Sequence, residues 1–172
     1  MPMEPWWNFF YLCGSAAVTL TGLLFVAVTL GATLIHRDNL DQVHAFLSPL
    51  CFHFLHVFFL CCACAVPGAH PHLLAGAAML SALWRLTVSM PKTYAVVRAE
   101  AHKEPTEIDL SDWVIVVVLP LLVYVVLLGT GVGFLLGQPW AVATLAASCL
   151  VLLLSAAKGA WDTLLWIAAV LR

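Results

Sequence analysis

The sequence predicts an all-α protein, a polytopic transmembrane helical bundle with five spans. Hydrophobic residues make up 63% of its 172 residues and charged residues only 9%, whereas a soluble globular domain has about 25% charged residues. Three stretches lack Asp, Glu, Lys and Arg: Trp6–Ile35, Gln42–Trp84 and Trp113–Ala157. A chain of this length cannot bury so much apolar surface in its own core, so its surroundings are predicted to be lipid.

The number of spans follows from the thickness of a bilayer. A hydrocarbon core of about 30 Å takes about 20 helical residues to cross, so the first stretch forms one span. Each of the two longer stretches is interrupted by proline and glycine and forms two. Within a single domain, residues 1–172, the predicted spans are 9–35, 48–66, 72–90, 113–136 and 139–165. The alternative is four spans plus an interfacial helix.

Local signals define where each span begins and ends. The first span ends at the polar segment His36–Asn39. Ser48–Pro49 is an N-cap and first-turn pair that begins the second span, and Pro67–Gly68 ends it. Pro91 marks the exit of the third span. Only Gly137–Gln138 separates the last two spans, which must therefore form a tight antiparallel hairpin.

The distribution of cations predicts the orientation in the membrane. The segment 92–112 holds eight of the sixteen charges and forms the main polar loop. The loop and terminal cations all fall on one side of the predicted bundle, namely Arg37, Lys92, Arg98, Lys103 and Arg172. The positive-inside rule then places the N-terminus outside and the C-terminus in the cytoplasm.

Glycines repeat at four-residue spacing in the fourth span, at Gly129, Gly133 and Gly137, with Gly131 between them. Residues four apart share one helix face, and glycines there allow another helix to approach closely in lipid. The predicted role is packing within the bundle. A subunit interface or a pore-lining groove is the alternative.

Three charged residues lie within predicted spans: Arg85, Lys158 and Asp162. A charge near the bilayer centre costs roughly 3 kcal/mol even on lenient scales, so such residues usually face a partner or water. Arg85 can extend towards the cytoplasmic surface or meet Asp162 across helices. Lys158 and Asp162 are four residues apart and can instead pair with each other.

His53 and His56 are three residues apart and therefore neighbours on one face of the second span. One interpretation is that nearby hydroxyls, carbonyls or water satisfy both rings. The functional interpretation is a proton relay, an ion path or a metal site. Two axial haem ligands must approach the iron from opposite faces, so this pair alone is poorly arranged for haem.

Thiols and imidazoles also cluster near the outer end of the second span, at Cys61, Cys64, His70 and His72. Sulfur and imidazole ligands suit copper(I) or zinc, which makes these residues candidate metal ligands. Their spacing matches no established site, and cysteine is common as a small apolar filler. We expect no cofactor, with haem or copper as the alternative.

The segment Gly14–Leu30, with its run T-G-L-L-F-V-A, resembles the opening of a widespread group of small bacterial multi-spanning membrane proteins. The ending Gly159–Trp166 is similar to the same group. The resemblance implies a bacterial inner-membrane protein in which Gly22 and Asp162 matter.

The sequence lacks the motifs that several function classes require. The chain has no HExxH, no Walker or dinucleotide glycine loop and a single intramembrane carboxylate, so we expect no enzyme, and sixteen charges are too few for a nucleic-acid surface. The leading hypothesis is a homo-oligomeric channel or transporter-like bundle, in which His53, His56, Arg85, Lys158 and Asp162 line the path of an ion or small solute. One alternative is a non-catalytic structural or regulatory subunit of a larger membrane complex. Another is a haem- or copper-binding membrane protein.

Overall fold

The computed structural model describes residues 4–31, 40–89 and 118–170, and every regular element in these ranges is helical. The five long helices are α1 (Trp7–Gly31), α2 (Leu40–Ala65), α3 (Pro71–Trp84), α4 (Leu119–Leu135) and α5 (Ala141–Val170). A short 3₁₀-helix, Glu4–Trp6, precedes α1, and a π-helical turn, Arg85–Ser89, continues α3. The predicted all-α fold is therefore confirmed for the described residues.

The prediction that Ser48–Pro49 caps and begins a helix is wrong. Helix α2 begins at Leu40 and runs without interruption through Ser48–Pro49. Proline removes one backbone donor and crowds the preceding turn, at a cost of about 3 kcal/mol. Proline therefore has only a preference for the first turn and need not mark it. The predicted loop 92–112 lies outside the described residues.

Two short turns place consecutive helices antiparallel. Gly68 and Gly137 adopt the left-handed conformation, with φ of 69° and 66°, which glycine reaches without a steric penalty. At the second turn the Gln138 N–H donates to the carbonyl of Gly133 at 2.9 Å, which is the Schellman arrangement that ends a helix. The predicted hairpin between the last two helices is therefore present.

Helix α5 joins two pairs of helices into one bundle. Helix α1 packs along α2 and α3 packs along α4, while α5 contacts α1, α2 and α4. The fully buried side chains of α5 include Leu145, Cys149 and Leu152, which lie in the main core. A smaller cluster, containing Leu50 of α2 and Ala156 of α5, fills the end of the bundle nearer the α5 C-terminus.

The predicted glycine face packs against other residues of the described chain at Gly133 but not at Gly129 or Gly137. A Cβ added at Gly133 would lie 2.7 Å from the Trp140 ring, but one added at Gly129, Gly137 or Gly22 would meet nothing within 4 Å. The close approach of α4 to α3 instead passes through Gly131, where an added Cβ would lie 2.6 Å from Cγ of Met79.

The bundle has an apolar exterior as well as an apolar core. Large exposed hydrophobic side chains occur on all five helices, for example Leu23, Leu55, Leu80, Leu122 and Leu154. Judged by length and composition, two helical segments of the described chain are able to cross a membrane, Glu4–Thr29 and Ala141–Asp162. The apolar segments Leu50–Ala65 and Leu119–Leu135 are shorter.

Candidate functional site

Three polar side chains from three helices meet inside the bundle at Tyr124. His53 comes from α2, Arg85 from the end of α3 and Tyr124 from α4, and their exposed fractions are 2%, 1% and 0%. Buried polar side chains of this size need hydrogen-bond partners, because burial removes their contacts with water. We call this group, together with His56, the Tyr124 network.

Local structure places each member of the network. Pro120 lies in the first turn of α4, and Tyr124 follows one turn later on the same face. Arg85 is the first residue of the π-helical turn, and its backbone N–H donates to the carbonyls of Ser81 and Ala82. Such widened turns re-aim side chains and are frequent at functional sites.

The hydrogen bonds of Tyr124 have a defined direction. The guanidinium of Arg85 interacts with the Tyr124 hydroxyl, and because a guanidinium can only donate, it faces the lone pairs of the Tyr124 oxygen. The single hydroxyl proton of Tyr124 is then left for Nδ1 of His53, which lies 2.9 Å from the oxygen. Nδ1 of His53 is therefore the acceptor, and in the neutral ring the proton sits on Nε2.

His56 has the opposite tautomer. Its Nδ1 lies 2.6 Å from the backbone carbonyl oxygen of Phe52, which can only accept, so Nδ1 carries the proton and Nε2 is the acceptor. The His56 ring meets the Tyr124 ring edge-on, with centroids 5.6 Å apart, whereas the His53 ring stacks on it at 5.8 Å. The network therefore combines donors and acceptors around one tyrosine.

The predicted contact between Arg85 and Asp162 is wrong. Asp162 pairs instead with Lys158 on the same helix at 2.8 Å, and both side chains are exposed, at 49% and 41%. Arg85 does not reach the surface either, because it is 1% exposed. Among the described residues, Arg85 therefore keeps its positive charge inside the bundle with no carboxylate beside it.

Three other buried hydroxyls are satisfied within their own helices. Ser81, Thr130 and Ser155 donate to backbone carbonyls three or four residues earlier. These bonds are local and need no partner from another helix. The Tyr124 network differs because its members come from separate helices.

The structure separates the predicted metal ligands. Cys61 and Cys64 are buried, whereas His70 and His72 are exposed beside the turn before α3. In the part of the chain that the structure describes, no group of three or more His, Cys, Asp or Glu side chains is arranged to hold a metal ion.

Buried thiols form a group that the sequence did not indicate. Cys61 interacts with Cys149 of α5, and Cys13 of α1 and Cys64 lie near enough to interact electrostatically with them. All are free thiols. Cys13 and Cys149 are far from the other two in sequence, so spacing gave no signal for this group.

Tyr124 was likewise missed by sequence reasoning. It is a single tyrosine in an apolar helix, and its partners lie 71 and 39 positions earlier in the chain. A usable signal would have been that a tyrosine in an apolar span needs a partner for its hydroxyl.

No known protein family, curated protein or solved structure matches the chain. The resemblance of Gly14–Leu30 and Gly159–Trp166 to small bacterial membrane proteins therefore stays a prediction.

Proposed function

We propose that the chain is an integral membrane protein that passes an ion or small solute through its bundle, with the Tyr124 network as the polar part of the path. The observation that carries this proposal is the buried polar group inside an otherwise apolar bundle, in which His53 is hydrogen-bonded to Tyr124 at 2.9 Å and Arg85 interacts with the Tyr124 hydroxyl. Ionisable residues in a membrane interior are costly and commonly mark the path of an ion, a proton or a substrate.

The apolar exterior supports the membrane part of the proposal. A soluble monomer rarely exposes large contiguous apolar patches, yet large hydrophobic side chains are exposed along all five helices. Lipid is the solvent in which such a surface is stable. We propose that all five helices cross a bacterial inner membrane, with the N-terminus outside and the C-terminus in the cytoplasm.

The chemistry of the network supports the transport part. Nε2 of His56 can accept a proton, and Nε2 of His53 can donate one. Tyr124 can rotate its hydroxyl, so the direction of the hydrogen bond between Tyr124 and His53 is reversible. A chain of this kind can transfer a proton or accompany a charged solute past the middle of the bundle.

Reconstitution into liposomes tests the proposed function. The purified protein should pass an ion or small solute, measured with dyes inside the vesicles that report pH and membrane potential. His56→Ala should change the rate or its pH dependence, because it removes an imidazole that can take up and release a proton. A matched control is His70→Ala, which removes an exposed histidine outside the network.

Other outcomes identify the alternatives. Vesicles that stay impermeable, from a protein that co-purifies with a larger membrane complex, would favour a structural or regulatory subunit. A purified protein with a Soret absorption, or with near-stoichiometric copper, would favour the cofactor-binding alternative. Either result would contradict the transport proposal.

We also propose that the protein is a homo-oligomer. Gly129 on α4 is exposed, with nothing within 4 Å of an added Cβ, so a helix of a second copy can approach closely there. Gly129→Leu should lower the oligomer size in native mass spectrometry while the monomer stays folded. An unchanged size would refute an interface at this glycine.

A further inference from the structure

The guanidinium of Arg85 is incompletely satisfied. Its side chain is 1% exposed, and its Nε is the one buried side-chain nitrogen or oxygen of the described residues that has no hydrogen-bond partner. Its interaction with Tyr124 uses a different part of the fork, which has five N–H donors. At least one strong donor therefore points into the bundle without an acceptor.

The charge of Arg85 also has no compensating carboxylate among the described residues. An arginine cannot lose its proton in a protein, so burial cannot neutralise it as it can a lysine or histidine. Transfer of a single ion to a medium of low dielectric constant costs several kcal/mol even after relaxation. The neighbours Tyr124, His53 and His56 are neutral in the hydrogen-bonding pattern described above, and the Asp162 carboxylate is occupied by Lys158.

We propose that Arg85 binds a small monovalent anion, held by the Nε–H of Arg85 beside the Tyr124 network. The proposal rests on the transport function proposed above and names its substrate class. A bound anion would balance the charge of the guanidinium and would accept a hydrogen bond from the Nε–H. It would therefore satisfy both the charge and the unpartnered donor of Arg85.

The surroundings define the class of anion. Among the described residues, Arg85 is the single cation at the network, so one negative charge balances it. Nε of Arg85 is itself enclosed by the bundle, which favours a small ligand over a bulky one. Chloride, nitrate and formate meet these requirements, whereas gluconate does not.

Direct binding is measured by ³⁵Cl NMR on the purified full-length protein in detergent. Chloride bound to the protein should broaden the line of free chloride, and nitrate or formate should reverse the broadening competitively. Equal concentrations of gluconate should not. The melting temperature should rise and reach a plateau as chloride replaces gluconate, since a ligand that binds only the native state stabilises it.

Arg85→Lys tests the residue itself. Lysine keeps the positive charge but lacks Nε and the planar fork, so the chloride affinity should fall at least about tenfold. Lys158→Gln is the matched control, because it removes an exposed cation away from the network, and it should leave the affinity unchanged. If Arg85→Lys does not fold, Tyr124→Phe serves instead. Its chloride affinity should also fall, because the guanidinium of Arg85 is no longer held in position by the Tyr124 hydroxyl.

Two results would overturn the anion site: no competitive line broadening by the native protein, or broadening that is unchanged in Arg85→Lys or Tyr124→Phe. Failure of the transport proposal can be distinguished from failure of the anion site. Chloride binding by a protein that leaves liposomes impermeable would support the site and contradict passage. Cation flux without chloride binding would support passage and contradict the site.

Discussion

Replacing Tyr124 with phenylalanine removes one oxygen that serves two partners. The ring volume is nearly unchanged, so the core packing around this fully buried residue is retained. Arg85 loses a charge-assisted hydrogen bond, which contributes about 1.5–3 kcal/mol, and Nδ1 of His53 is left buried without a donor, which costs about 1–3 kcal/mol. The two terms overlap, so we expect a loss of about 3 kcal/mol.

The loss is measured by thermal unfolding in detergent, followed by tryptophan fluorescence. For a chain of this size about 1 kcal/mol corresponds to about 2–4 °C in Tm, so Tyr124→Phe should lower Tm by about 6–12 °C. Tyr11→Phe makes the same chemical change on a side chain that is 79% exposed, and it should change stability by less than about 0.5 kcal/mol. Adding His53→Leu to Tyr124→Phe should cost less than the sum of the two single changes, because the orphaned nitrogen is gone. Equal Tm values for the two tyrosine variants, or additive effects with His53→Leu, would refute the network.

Three further predictions concern helix packing, charge pairing and orientation. Gly131→Ala should destabilise the bundle by about 1–3 kcal/mol, because the new methyl meets Met79. Gly129→Ala should instead stabilise it by up to about 1 kcal/mol. Equal effects of the two variants in thermal unfolding would contradict the close approach of α3 and α4. Arg85→Gln and Asp162→Asn should have additive effects on Tm, since Asp162 pairs with Lys158. A double variant more stable than the sum of the two single effects predicts would be evidence that Arg85 and Asp162 do interact. Reporter fusions after Gly68 and at the C-terminus should report outside and inside respectively, and the opposite result would reverse the proposed orientation.

The periodic and compositional features of the fold could be predicted from the sequence. Long uncharged stretches and the turns at Pro67–Gly68 and Gly137–Gln138 predict helices and tight connections, and the structure contains both. The start of α2 could not be located, because Pro49 has only a local preference for a first turn, and the helix continues through it from Leu40.

The candidate site was predictable only in part. His53, His56 and Arg85 were identified because polar groups in apolar spans are costly. Their partner Tyr124 was not, because the contact joins α2, α3 and α4, and helix periodicity says nothing about which helices become neighbours. The same reason explains why Cys13 and Cys149 were not associated with Cys61, and why Gly131 rather than Gly129 lies at the contact of α3 with α4.

The tautomers of His53 and His56 test the central claim, that Arg85, Tyr124 and His53 form one directed hydrogen-bonded chain. Nitrogen NMR of the protein with ¹⁵N-labelled histidine distinguishes Nδ1–H from Nε2–H rings, and the variants His53→Gln and His56→Gln assign the two signals among the seven histidines. The account predicts opposite tautomers, with the proton on Nε2 in His53 and on Nδ1 in His56. Tyr124→Phe should alter the His53 signal and preserve the tautomer of His56. A proton on Nδ1 of His53 in the native protein, or a His53 signal unchanged in Tyr124→Phe, would contradict the account.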